Sequence, residues 1–469
     1  MAPTKLEADY LVIGAGAMGM AFADTLVAET DATIAIVDRY ARPGGHWTTA
    51  YPYVRLHQPS AYYGVNSLPL GGETVDETGW NKGLYELASG QEICAYFDVA
   101  MQRLQATGRV SYLPGCDYLG DGQVQRTATG ETFEVAVRRR TVDASYMGVM
   151  VPSMRPPPYE VAPGVACAPP NALPGLFGQY ERFTVVGAGK TGIDACLWLL
   201  GQGVPDSQIA WIMPRDSWLL DRVNIQPGGQ FAAAIGRGLM GQAMAVFEAT
   251  SAADLLMRLE ACGQLLRLTP DVQPTMYRCA TVSRAELEAL RTLTGIVRLG
   301  RVQAIDTNEI RLDGGAVPTS ARTLHIDCSA DGLGSRPAVP VFEDGRITLQ
   351  PVRFCQQVFS AAFIAHVEAA YPDDDTARNR LTTPIPHPDT VLDWLRINAV
   401  SSRNSLLWEE DQGLRAWLAA SRLDIGRYFG GAPSDPAVAA DQARKRRAAI
   451  MAQVSKLEKL LRAEGAVSA

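Results

Sequence analysis

"LVIGAGAMG" (Leu11–Gly19) and "TVVGAGKTG" (Thr184–Gly192) are nearly the same phrase, written twice in a chain of 469 residues. In both, an apolar run of strand length stops at a glycine, and a helical pattern begins at once. Around the first copy, "ADYLVIG" (8–14) reads as a buried strand. "MGMAFADTLVAE" (18–29) reads as a helix with Met18, Phe22 and Leu26 at period four, and "ATIAIVD" (32–38) is a second strand. A strand, a Gly-x-Gly-x-x-Gly turn, a helix and a strand closed by an acidic residue form the full dinucleotide fingerprint. Gly14 permits the tight turn, Gly16 lets backbone approach a pyrophosphate, and Gly19 allows helix and strand to pack closely. The helix start, with Ala17 and Met18, offers unpaired N–H groups and a partial positive charge. Asp38 is placed to accept from ribose hydroxyls, with Arg39 beside it.

The second copy repeats the plan through "ERFTVVG" (181–187), "KTGIDACLWLL" (190–200) and "QIAWIMPR" (208–215). A P-loop needs another glycine where Thr184 stands, and a strand runs straight into Gly187, so this is a second Rossmann-type turn built on Gly187, Gly189 and Gly192. Lys190 and Thr191 open its helix and are candidate pyrophosphate contacts. Lys190 is equally well read as an exposed helix-start residue. The acidic residue that would end the unit is replaced by "PRDSW" (214–218). A 2′-phosphate wants a guanidinium, so Arg215 is the candidate that selects NADP over NAD. Asp216 is the competing partner, for Arg215 or for a ribose.

Composition agrees with an ordinary globular protein of two or three domains, 47% hydrophobic and 20% charged. A formal charge of −7 argues against a nucleic-acid surface, which needs a basic patch. The densest cationic run, "ARKRRAA" (443–449), reads as a solvated helix face. Eight cysteines stand singly with no C-x-x-C, which argues against zinc ribbons and a reductase dithiol, and fits unpaired thiols in a cytoplasmic protein. The apolar start of the chain reads as a buried strand, and no apolar run reaches the ~18 residues of a membrane helix.

After Asp38 comes "RYARPGGHW" (39–47). A Gly-x-Gly-x-x-Gly unit, an acidic residue and then a GGxW turn together resemble the FAD domain of the flavin-containing monooxygenase superfamily. That resemblance rests on Gly14, Gly16, Gly19, Asp38, Gly44, Gly45 and Trp47. It implies FAD at the first turn and NADPH at the second, with Gly45, His46 and Trp47 against the flavin. It implies a monooxygenase inserting one oxygen from O2 into a small organic substrate through a C4a-(hydro)peroxyflavin. The family's F-x-G-x-x-x-H signature is missing, since no histidine lies in 148–186, and its ATG linker has no counterpart after "VDASYMG". A reductase or dehydrogenase without oxygen insertion, and a non-catalytic dinucleotide sensor, remain as alternatives.

The expected fold is α/β: two Rossmann-type dinucleotide-binding domains, for FAD and NAD(P), with a helical insertion and a mostly helical C-terminal region. Residues 1–150 form the first part of the FAD domain, 178–320 the NADP domain with a helical insertion near 221–300, and 321–469 a return to the FAD domain with a helical cap. The proline-rich stretch 150–175 reads as the crossover linker. The strand ending near Ala330–Gly332 is expected to re-enter the FAD domain, placing Asp331 at the ribityl chain. "TTAYPYVRLHQPSAYYGV" (48–65) is expected to line the flavin. Within it His57 and Gln58 are candidates to hydrogen-bond flavin or peroxide, and Arg55 to hold negative charge on the isoalloxazine.

Overall fold

The computed structural model describes residues 6–334, 336–371, 374–428 and 435–466. The first strand, Leu6–Ile13, pairs in parallel with Ile34–Asp38 on one side and Thr132–Asp143 on the other. Val110–Pro114 extends the sheet beyond Ile34–Asp38, and Arg346–Thr348 extends it beyond Thr132–Asp143, both in parallel. These strands are covered on one face by helices Ala17–Glu29 and Gln357–Ala370, which pack against each other. Both helices are apolar nearly all round, as a helix enclosed by core on every side must be.

A second sheet repeats the arrangement. Gly295–Val297, Ile209–Ile212, Arg182–Val186, Thr323–Asp327 and Cys167–Ala168 lie side by side, each pair parallel. The α/β fold of two Rossmann-type units is therefore as expected. All-parallel sheets need cover on both faces, which explains why "FTVV" and "IAWI" are largely apolar and why every residue of Thr323–Asp327 is buried.

Four expectations need correction. The strand before Ala330 does not return to the first unit: Thr323–Asp327 pairs with Arg182–Val186, and Arg346–Thr348 is the strand that returns. A strand buried on both faces suits either sheet, so its sequence does not choose between them. The second unit consequently reaches from the proline-rich stretch, which supplies its edge strand Cys167–Ala168, to Asp327. The insertion is only partly helical. Gly229–Glu248, Ala252–Ala261 and Arg284–Arg291 are helices, but Ser217–Asp221 and Met276–Val282 pair in parallel and Leu265–Leu266 joins them. Finally, the eight cysteines are not all unpaired: Cys279 and Cys355, 76 residues apart, form a disulfide, and the other six are free.

The C-terminal helices belong largely to the core. Trp408 is fully buried and lies 4.3 Å, ring to ring, from Phe363, with its indole N–H donating to the Leu381 carbonyl at 2.7 Å. Trp394 is buried too, and the Trp417 indole donates to Glu29 at 2.7 Å. The basic run 443–449 lies on helix Pro436–Ala463, where Arg446 and Arg447 pair with Glu409 and Glu410. No helix among the described residues is long and apolar enough to cross a membrane.

Truncating Phe363 to alanine removes the ring that joins the returning helix to Trp408. A cost of about 3–5 kcal/mol is expected for such a core aromatic. Thermal melting should show it as a clear drop in midpoint, while Met451→Ala, at a surface-exposed methionine, should leave the midpoint within error.

Candidate functional site

Both glycine turns open on one cavity of about 1590 Å³. At the first turn Gly14 and Gly19 are required sterically. Gly14 has φ +105°, and a Cβ on Gly19 would sit 2.0 Å from the Gly14 carbonyl oxygen. Gly16 and Gly45 stand back to back, since a Cβ on Gly45 would come within 3.0 Å of the Gly16 Cα. The Gly44 N–H donates to the Ala15 carbonyl at 2.9 Å, which holds the GGHW turn against the first turn. No side chain caps helix Ala17–Glu29, so its first N–H groups, at Ala17 and Met18, face the cavity free.

Asp38 is buried at the cavity edge. Its carboxylate accepts from the Ala15 N–H at 2.5 Å and the Tyr40 N–H at 2.8 Å, and burial pushes its carboxyl above the ordinary range. One carboxylate thus shapes the turn and has lone pairs left for a ribose. Arg39 is exposed on the rim.

The second turn is a structural copy. Gly187 has φ +121°, and a Cβ on Gly192 would lie 2.1 Å from the Gly187 carbonyl oxygen. A Cβ on Gly189 would meet no atom within 4 Å, and helix Lys190–Gly201 also starts without a side-chain cap. Thr191 borders the cavity. Lys190 borders the cavity too, but its ammonium pairs with Asp194, which also accepts from the Tyr51 hydroxyl at 2.6 Å. Arg215 borders the cavity but is held bidentately by Asp389, at 3.0 and 2.9 Å. Asp216 does not compete for it, being paired with Arg298 at 2.7 and 2.9 Å. A 2′-phosphate at Arg215 competes with the Asp389 carboxylate for its guanidinium.

The segment after the GGHW turn lies along the cavity, as expected. The Trp47 indole donates to the Tyr63 hydroxyl at 2.6 Å, and His46 packs 5.1 Å from Trp47, ring to ring. His57 and Gln58 both line the cavity. His57 Nδ1 accepts from the Thr281 N–H at 3.4 Å, which leaves Nε2 to carry the ring proton. Its imidazole is half-buried and opens on the cavity. Burial, aided by the charges of Lys190 and Arg222, pushes its pKa down to about 3. Arg55 borders the cavity as well, but its guanidinium donates to the Leu87 carbonyl at 2.9 Å, where it steadies backbone.

Sequence reasoning missed two arginines that hold this segment in place. Arg222 is fully buried and donates to the His57 carbonyl at 3.0 Å, the Asn81 amide oxygen at 3.0 Å and Glu286 at 2.7 Å. Arg422 donates to the carbonyls of Val65, Ala61 and Tyr63 at 2.8, 2.7 and 2.5 Å. Neither sits in a motif.

Asp331 does not follow a strand of the first sheet. It is exposed, 3.3 Å from Arg278, and the next carbonyl, Gly332, accepts from the Met150 N–H at 3.0 Å. The two crossings between the units therefore run side by side there. A second repeat, also missed, marks where each crossing begins: "VDASYMG" (142–148) and "IDCSADG" (326–332). Asp143 accepts from the Ser145 N–H and hydroxyl at 2.9 and 2.7 Å, and Asp327 from those of Ser329 at 3.1 and 2.5 Å. The Ala144 N–H donates to Ile13 and the Cys328 N–H to Val186, the residues just before Gly14 and Gly187. A D-x-S turn thus stands at the start of the crossing in both units.

Residues 12–72 match the family described as NAD(P)-binding Rossmann-like domain. The chain is 57% identical over 425 residues to the uncharacterized protein Rv2000 of Mycobacterium tuberculosis, an alignment covering 90% of this chain and 79% of that protein. It belongs to the same family as that mycobacterial protein. Among solved structures it is similar to a flavin-containing monooxygenase from Stenotrophomonas maltophilia, at 15% identity and TM-score 0.44, covering 78% of this chain and 98% of that one. It is also similar to cyclohexanone monooxygenase from Rhodococcus sp. Phi1 bound to NADP+, at 13% identity and TM-score 0.48, covering 78% and 84%.

Burial pushes His46 and His387 down to about 4, as it pushes His57 to about 3. All three are neutral in the folded protein where an unfolded chain, with pKa near 6.5, already binds protons. Between those values the unfolded state holds more protons, so stability is full above neutrality and falls as pH drops from about 6.5 toward 4. Melting temperatures across that range should decline, and less steeply in His46→Gln. An unchanged slope in that variant would contradict the assignment of His46.

Proposed function

We propose that this protein is an FAD-dependent, NADPH-using oxidoreductase, and specifically a monooxygenase acting on a small organic substrate. The observation that carries the reading is the pair of bare, side-chain-uncapped glycine turns opening on one cavity. A chain with two dinucleotide turns facing a shared space is suited to passing a hydride from one nucleotide to the other. The GGHW turn locked against the first glycine turn, and the polar wall after it, favour FAD at the first position.

The cradle fits the group. Gly16 and Gly45 leave a groove that a side chain on either would fill, and the helix start presents N–H donors with a favourable dipole for a pyrophosphate. Asp38 would hold a ribose with its remaining lone pairs. Gly189 leaves the same space for the nicotinamide nucleotide's pyrophosphate, beside Thr191. Bound there, the flavin supplies two-electron reduction and reaction with O2. The chain's own contribution is placement and shelter. His57, neutral with its N–H at Nε2, offers a hydrogen-bond donor into the cavity without bringing a charge. Gln58 adds an amide that donates and accepts. Trp47, tied to Tyr63, walls one side and keeps water from the reacting centre.

A second reading, reduction without oxygen insertion, is favoured by one observation: the Cys279–Cys355 disulfide lines the same cavity. Incorporation of labelled oxygen from O2 into product separates the two.

Gly16 and Gly189 have φ of −75° and −81°, which any residue adopts, and a Cβ at either meets no protein atom closer than 3.6 Å. Gly16→Val should therefore fold, with unchanged circular dichroism, yet purify without flavin. Gly189→Val should purify yellow but resist reduction by NADPH. Full flavin content in Gly16→Val would sink the assignment of the first turn.

Arg215→Ala should lose most of any preference for NADPH over NADH, about 10- to 150-fold for a charge-assisted contact of roughly 1.5–3 kcal/mol. Asp389→Asn, which frees Arg215, should strengthen NADPH binding relative to NADH. Equal use of both nucleotides by the unmutated protein would rule Arg215 out.

A further inference from the structure

Cys279 and Cys355 come from different parts of the fold. Cys279 lies in strand Met276–Val282 of the insertion, and Cys355 in the loop between strand Arg346–Thr348 and helix Gln357–Ala370 of the first unit. Their Cα atoms are 6.6 Å apart, within the usual span of a disulfide. The strand is irregular where Cys279 sits. Its pairing with Ser217–Asp221 slips between Tyr277 and Thr281, and Cys279 itself has φ +57°, a left-handed conformation unusual for a side-chain-bearing residue. A bulge of this kind re-aims a side chain. Here it puts the disulfide in the wall of the cavity, two residues from Thr281, whose N–H donates to His57.

The two sulfurs differ in access. Cys279 is buried, and the Tyr277 hydroxyl lies 3.7 Å from its Sγ. Cys355 is partly open and also lines the cavity. An attacking group from the cavity therefore meets Cys355 first, and the departing electron pair falls on the Cys279 sulfur, where the Tyr277 hydroxyl can donate to it.

We propose that Cys279 and Cys355 form a redox-active pair, which takes two electrons from NADPH through the protein's bound flavin and hands them to a low-molecular-weight disulfide entering the cavity. The proposal rests on the flavoprotein reading above. In the first half, two electrons and two protons break the Cys279–Cys355 bond and leave two thiols. In the second, the Cys355 thiolate attacks one sulfur of the substrate disulfide, forming a mixed disulfide and releasing one thiol. The Cys279 thiolate then attacks Cys355 Sγ, restores the internal bond and releases the second thiol. The sum is NADPH, a proton and one disulfide giving NADP+ and two thiols. A pair without C-x-x-C spacing does this because the fold, rather than the local chain, brings the sulfurs together.

The test uses the full-length protein as purified, kept anaerobic, with flavin absorbance followed throughout. The protein is incubated with or without NADPH, quenched in denaturant with an alkylating agent, and its modified cysteines are counted by mass spectrometry. Without NADPH six cysteines should be modified, and with it all eight, the two gained being Cys279 and Cys355. With 5,5′-dithiobis(2-nitrobenzoate) as the probe disulfide, NADPH-dependent release of thiol should be lost in Cys279→Ser and in Cys355→Ser, and kept in Cys262→Ser. Flavin that bleaches with NADPH while the count stays at six overturns the relay and leaves the flavoprotein reading standing. Flavin that is absent or does not bleach, with the count at six, overturns both. Eight modified cysteines before NADPH is added, or probe turnover intact in both variants of the pair, overturns the relay.

Discussion

Everything at the cavity depends on how closely a helix can cross the strand before it. At Gly19 and Gly192 the helix passes so near the preceding turn that a single added carbon would sit 2.0 or 2.1 Å from a carbonyl oxygen. That approach is open only to glycine. It fixes the helix on the sheet with its uncapped start aimed at the strand ends, where a nucleotide's phosphates can be held by backbone. Gly14 and Gly187, both at positive φ, make the turn sharp enough for this to happen within a few residues. Because the constraint recurs, the chain builds the same phosphate cradle twice, and the rest of the architecture serves to bring the two cradles face to face.

The facing is arranged by paired crossings. In each unit the strand paired with the one before the glycine turn, Thr132–Asp143 or Thr323–Asp327, ends in a D-x-S turn whose middle residue bonds to the strand just before the glycine turn. From there the chain leaves one unit for the other, and the two crossings meet at Met150 and Gly332. Two arginines, Arg222 buried and Arg422 half-buried, then lock the polar wall. Arg222 ties the insertion to the His57 backbone, and Arg422 ties the C-terminal region to the 61–65 stretch. A guanidinium with fixed, multiple donors is well suited to such clamping. The wall is thus rigid through contacts that span the whole chain, and the cavity's shape is a property of both units together.

The parts legible in the sequence are those whose physics is local. The glycine turns, the helix starts, Asp38 and the GGHW turn are specified within some forty residues, and all stand where the pattern puts them. The strand Thr323–Asp327 is buried on both faces, and nothing in a strand buried in this way tells one parallel sheet from another. Arg215 and Lys190 were recognisable as cations near a nucleotide turn, but their carboxylate partners are chosen by the fold: Asp389 is distant in sequence, and Asp194 sits one helical turn on. The Cys279–Cys355 pair is of the same kind, since no spacing rule connects two cysteines in different units. The D-x-S repeat was readable. It went unseen because a turn of common residues stands out only once both glycine repeats are aligned.

The central claim is that flavin and nicotinamide meet in one cavity, one nucleotide on each glycine turn. Anaerobic reduction of the bound flavin by NADPH carrying deuterium at one or the other face of its nicotinamide C4 tests this directly. The flavin should bleach, and bleaching should slow for deuterium on one face only, as a fixed orientation of the two rings requires. A bound flavin that stays oxidised at saturating NADPH would contradict the account.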